Sequence, residues 1–265
     1  MVSKKKITMK NKDLFVDTFC ANPLYDNIMV SDDYEKKYSK IFSSNIWPQK
    51  EIPELKIAFK NLGITMLQVS FWILIQCDKY LHKITDGVHK ENTIYHIISN
   101  SQIYKGKLIH SNSVVNKKNK KNNGDNLHIN YESLICHVSP MFLSKKDDII
   151  NNTDNYHMYI KSKKGEKIKI KIPNNCLALQ IGETLQILSG GYLKAKPHYL
   201  RLCQKPQISM EQFSVYVDCF PEQPLEFPQY TKTDNEDESL TSRIQDCTIF
   251  HDFMKKTLDE RRIKL

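Results

Sequence analysis

Residues 173–201 read P-N-N-C-L-A-L-Q-I-G-E-T-L-Q-I-L-S-G-G-Y-L-K-A-K-P-H-Y-L-R, and the reading of the fold turns on them. Residues 177–181 are a short apolar run closed by Gly182. Residues 184–188 alternate, which predicts a second strand, and Ser189-Gly190-Gly191 predicts a tight hairpin, because glycine accepts positive φ. The returning strand carries Leu193 and Ala195 and delivers Pro197-His198. A histidine at the end of a hairpin strand, beside small residues, is a candidate metal ligand inside a β-barrel. The same residue type is more often a surface or hydrogen-bonded core histidine.

The residues around this stretch argue for one core. A chain of 265 residues with 40% hydrophobic content can bury a single substantial one. The net charge of +9 invites a nucleic-acid reading, but the 39 cations comprise thirty-five lysines and four arginines. Bidentate readers of bases and phosphates are preferentially Arg, so nucleic-acid binding is not expected. The seven cysteines form no C-x-x-C pair and sit mostly in apolar runs, as reduced thiols in an intracellular, cytoplasmic protein do. The N-terminus has no apolar segment of the secretory kind. The most apolar run, residues 64–77, is too short and too interrupted by Gln to span a bilayer, which predicts a buried helix and no transmembrane segment.

Taken in order, residues 1–12 are a basic tail and 13–265 a single domain. A helical flank is expected over 13–104. Residues 13–47 supply aromatic anchors among turn residues. Leu55, Phe59, Leu62, Met66, Val69 and Ile73 then fall at helical spacing over 54–83, in a helix covered on nearly every side. A short helix is expected at 92–99. The core follows at 105–230, interrupted by the Lys/Asn tract 111–126, whose composition predicts a solvated loop and leaves anion binding as a weak alternative. A second polar loop is expected at 147–154. Residues 166–172 alternate strictly, predicting Ile168, Ile170 and Ile172 inward with lysines outward. Residues 156–160 and 212–219 are further strands, 231–243 a polar loop, and 247–262 a closing helix. Short strands without intervening helices indicate an antiparallel sandwich or jelly roll.

Several segments in this order resemble one family, the isopenicillin-N-synthase-like branch of the Fe(II)/2-oxoglutarate-dependent oxygenases. They are Asn45-Ile46-Trp47-Pro48, Pro53-Glu54-Leu55 with Ala58-Phe59, Leu62-Gly63, Cys77-Asp78-Lys79-Tyr80 and Lys105-Gly106-Lys107-Leu108-Ile109-His110. Ser139-Pro140-Met141-Phe142, Lys163-Lys164-Gly165-Glu166, and Cys176-Leu177-Ala178 through Pro197-His198 continue the series. The resemblance covers roughly residues 40–262. It implies a mainly β fold with helical flanks, a double-stranded β-helix (jelly-roll) barrel with N-terminal helices and a C-terminal helix. It also implies an iron held by two histidines and one carboxylate, leaving positions open for cosubstrate and O₂.

By that resemblance His198 is the distal ligand, and the His-x-Asp slot falls on His128-Ile129-Asn130, which keeps the histidine and loses the carboxylate. The cosubstrate-anchoring Arg and the hydroxyl two residues on fall on Met210 and Gln212, and Met cannot pair with a carboxylate. Lys194, Lys196 or Arg201 could replace the Arg only in a rebuilt pocket. His110 and His137 are expected to be structural, and the remaining histidines carry no motif. Two functions follow. One is an oxidoreductase using Fe(II) and 2-oxoglutarate on an unidentified small molecule, through His128, Asn130 and His198. The other is a catalytically inactive oxygenase fold acting as a binding or structural module.

Overall fold

Helix α2 (Leu55–Ile84) is the element against which the sheet is laid. The computed structural model describes residues 14–113, 127–146, 148–150, 156–162, 164–202, 208–228 and 238–261; the basic tail, most of the Lys/Asn tract and most of the 147–154 loop lie outside them. One face of α2 buries Phe59, Gly63, Met66, Leu67, Ser70, Leu74, Asp78 and Leu81, spaced three and four apart. Leu62 (41% exposed) and Ile73 (37%), expected inward, lie outside this stripe, and Trp72 is 65% exposed. The helix is therefore covered on one side, not on nearly all. It is 30 residues long, and one 18-residue window has mean hydropathy 1.4, so length and composition alone would let it cross a membrane. Its packed face bonds instead within the protein. Asp78 Oδ1 and Oδ2 accept the backbone N–H groups of Ile94 (3.1 Å) and Tyr95 (2.8 Å), capping α3 (Thr93–Ser99), and His89 Nε2 lies 2.6 Å from Oδ1.

A six-stranded antiparallel sheet runs β1-β2-β9-β3-β7, with β4 also on β9. Its strands are β1 (Leu14–Ala21), β2 (Tyr104–Ser113), β3 (Leu134–Val138), β4 (Met141–Ser144), β7 (Leu177–Ile181) and β9 (Ile208–Val217). A three-stranded sheet runs β6-β5-β8, from β5 (Tyr156–Lys161), β6 (Lys167–Ile170) and β8 (His198–Leu202). Strand β1 falls in the stretch expected to be helical flank. Its Phe19 packs on Trp47 (5.7 Å between ring centroids) and Phe59 (5.6 Å). At Gly106 of β2 a Cβ would sit 2.5 Å from the Phe59 ring, so only glycine lets the helix lie this close.

Three further expectations change. Residues 183–188 form helix α4 (Glu183–Leu188), not a strand, and Gly190 (φ 61°) and Gly191 (φ 77°) end that helix rather than turn a hairpin. The polar stretch 231–243 contains the start of α5 (Glu238–Ile244), while α6 (Phe250–Glu260) matches the closing helix. In β6 the edge position leaves Ile168 42% exposed, whereas Ile172 beyond it is buried. The short α1 (Asp32–Lys37) is held by Lys37 Nζ and Tyr38 Oη on Glu222.

Candidate functional site

Alternation divides the large sheet into two faces. Phe213, Val215 and Val217 of β9, with Leu134 and Cys136 of β3, join the core under α2. On the other face stand Met210, Gln212 and Ser214 of β9, His137 of β3 and Gln180 of β7. Opposite them, His128 pairs with His198 at the start of β8. Each backbone N–H donates to the other's carbonyl at 2.9 Å, and the ring centroids are 4.1 Å apart. The two histidines singled out from sequence are thus brought together.

They belong to a polar chain that the sequence did not announce. Ser214 Oγ lies 2.8 Å from His137 Nδ1, and His137 Nε2 lies 3.3 Å from Gln180 Oε1. Gln180 Nε2 reaches His198 Nδ1 at 2.8 Å. His137 and His198 are 8% and 4% exposed. Burial pushes both imidazoles down to about 4, and the neighbouring His128 pushes the same way on His198, so both are neutral at pH 7. Gln180 carries no sequence signal, since an amide in an apolar run reads as an ordinary strand residue. His137 was expected in the core and is buried, but within this network.

Asn130 sits in a loop gripped by the start of α4. Its carbonyl accepts the Glu183 N–H at 2.8 Å, the Tyr131 carbonyl accepts Thr184 Oγ1–H at 2.6 Å, and the Ser133 carbonyl accepts the Gly182 N–H at 3.1 Å. A Cβ at Gly182 would lie 1.8 Å from the Glu132 carbonyl oxygen, so the grip needs glycine there. Glu183 itself is 1% exposed and is paired by Arg243 Nη1 (2.8 Å) and Arg261 Nη2 (3.0 Å), with Arg243 also donating to Thr257 Oγ1. Beside this loop, burial raises the Glu132 and Asp218 carboxyls, and the charge of Glu132 pushes Asp218 further in the same direction.

Met210 is 5% exposed and packs in an apolar cluster with Phe142, Ile109, Ile150 and Ile208. Gln212, 3% exposed, donates from Nε2 to the Val138 carbonyl at 3.3 Å. His110 Nδ1 lies 2.5 Å from Glu211 Oε1 across β2 and β9, and its side chain is 40% exposed. The Arg201 side chain lies outside the described residues. Among the described residues no group of three or more His, Cys, Asp or Glu side chains is arranged to hold a metal ion. His128 and His198 with the neutral amide of Asn130 in the carboxylate slot do not fit a two-histidine, one-carboxylate iron site, because no anionic oxygen is supplied.

No protein-family model matches the chain, and no curated protein matches it. Solved structures do. A protein of Caulobacter crescentus assigned to the 2OG-Fe(II) oxygenase family superposes with a TM-score of 0.65 at 12% identity, over 98% of this chain and 73% of that one. A full-length Neurospora crassa protein in complex with alpha-KG superposes at 0.58 and 13% identity, over 93% and 66% of the two chains. A protein of Shewanella oneidensis assigned as an oxygenase superposes at 0.53 and 13%, over 87% and 70%. With its antiparallel sheets and flanking helices, the chain is similar in fold to the 2OG-Fe(II) oxygenases.

Proposed function

We propose that this chain is an oxygenase-fold protein of the isopenicillin-N-synthase-like kind that does not carry out iron- and 2-oxoglutarate-dependent oxidation and serves as a binding module. The observation that carries this reading is Met210. At the position where the resemblance expects an anchoring Arg, its side chain is buried among Phe142, Ile109, Ile150 and Ile208. A carboxylate placed there would lose its water and gain no cation. The neutral Asn130 and the Gln180 amide on His198 support the same reading. The strand orders β2-β9-β3-β7 and β6-β5-β8, with His128 bridged to the start of β8, support a jelly-roll arrangement within a single domain.

The test is anaerobic Fe(II) titration with and without 2-oxoglutarate, following the visible charge-transfer band of a keto acid on iron. We expect no band from the native chain. Its appearance with stoichiometric iron overturns the reading. Asn130→Asp with Met210→Arg should restore iron and 2-oxoglutarate binding if the scaffold is otherwise intact.

A second reading keeps the chemistry, with Fe(II) and 2-oxoglutarate as cofactors acting on a small molecule through His128, Asn130 and His198. It is favoured by one observation, the 4.1 Å approach of the two imidazoles, and the same titration decides it. The free cysteines support an intracellular location, and the scarcity of arginine argues against nucleic acid as a partner.

A further inference from the structure

Residues 61–77 of α2 carry no charge in a chain of which 26% of residues are charged, and the outward side of that stretch is open. Ile57 (66% exposed), Leu62 (41%), Trp72 (65%) and Tyr80 (51%) line one face of the helix, interleaved with exposed Asn61, Thr65, Gln68 and Gln76. A long helix face on which large exposed apolar side chains alternate with uncharged polar ones is a candidate contact surface. What identifies the occupant is the charge at its two ends. The strip begins at exposed Glu54 and finishes at exposed Lys83, one acidic end and one basic end about an uncharged middle.

We propose that this face is a self-association surface, on which α2 of a second copy packs antiparallel about a two-fold axis passing between Gln68 and Val69. In that register Glu54 meets the partner's Lys83, Ile57 meets the partner's Tyr80, Leu62 meets the partner's Ile75, and Trp72 meets the partner's Thr65. Every pair is apolar, neutral or oppositely charged, and the axis repeats each of them, as an isologous contact requires. A parallel pairing would instead set Glu54 on Glu54 and Lys83 on Lys83. The uncharged middle is also where two molecules of net charge +9 repel each other least. A helix of 30 residues offers a strip of about 45 Å by about 10 Å, roughly 450 Å² per copy, against about 800 Å² in a standard stable interface. The dimer is therefore weak and reversible. The surface is separate from the inter-sheet histidines and does not depend on how they are read.

Sedimentation velocity of the full chain over a concentration series tests this. The mass should rise from 31.0 kDa toward twice that value. Glu54→Lys and Lys83→Glu should each weaken association about tenfold or more, and the double exchange should restore it. Trp72→Glu should leave a folded monomer by circular dichroism. A native chain that stays at 31.0 kDa throughout overturns the proposal, as does a double exchange no tighter than its singles. So does a native monomer that binds phosphatidylserine vesicles through Trp72, which would make the face a membrane contact.

Discussion

At the scale of single residues, Met210 and Asn130 differ in what surrounds them. Met210 is held in an apolar cluster, so Met210→Arg alone should lower stability by about 2–4 kcal/mol, the cost of a buried cation without a partner. Urea unfolding measures this. Adding 2-oxoglutarate should recover part of the loss only if the new cation finds the ligand. Asn130→Asp supplies the anionic oxygen that the resemblance expects beside His128 and His198. It should raise affinity for a divalent metal by about 10–100-fold in calorimetric titration, with His128→Ala abolishing the gain. Both slots are assigned by the resemblance, position 130 by counting back from Ser139-Pro140-Met141-Phe142 and position 210 from the run Ser209-Met210-Glu211-Gln212-Phe213. The role of Gln180 was not legible, because a neutral amide becomes informative only when its two partners, His137 and His198, are seen on either side of it.

At the scale of elements, the long helix, the closing helix and most strands of the two sheets could be read from periodicity. Helix α4 could not, and its burial explains why. Leu185 and Ile187 are buried as a strand reading would have them, but so are Thr184 before them and Gln186 between them. Thr184 donates to the Tyr131 carbonyl, and Gln186 Oε1 accepts the Ala195 N–H at 2.8 Å, so polar residues that imitate a solvent face are satisfied inside. The start of α5 was hidden in the same way: in a polar stretch, Arg243 turns inward to Glu183. That ion pair joins α5 to α4, and the bonds from Arg243 to Thr257 and from Arg261 to Glu183 bring in α6. Glu183→Gln, which leaves two guanidinium groups facing a neutral amide, should cost about 3–5 kcal/mol in chemical unfolding. The exposed Lys256–Asp246 pair, by contrast, should be replaceable with less than about 1 kcal/mol of change.

At the scale of the whole molecule, the buried imidazoles make stability depend on acid. His137 titrates near 4 when folded against an ordinary 6.5, so between these values the unfolded chain binds the proton and the folded chain does not. The contribution of neutral His137 is complete above 6.5 and declines as pH falls toward 4, at up to about 1.4 kcal/mol per pH unit. Urea midpoints over that range should fall more steeply for the native chain than for His137→Gln. The loop that presents position 130 has a different dependence. Its carbonyls are held by the first N–H groups of α4, and α4 is tied through Glu183 to α5 and α6. Opening that loop locally therefore means releasing the C-terminal helices with it. In native-state hydrogen exchange the amides of Gly182, Glu183 and Thr184 should open together with those of α6, as one cooperative unit. Whatever binds beside Asn130 would be felt at the end of the chain.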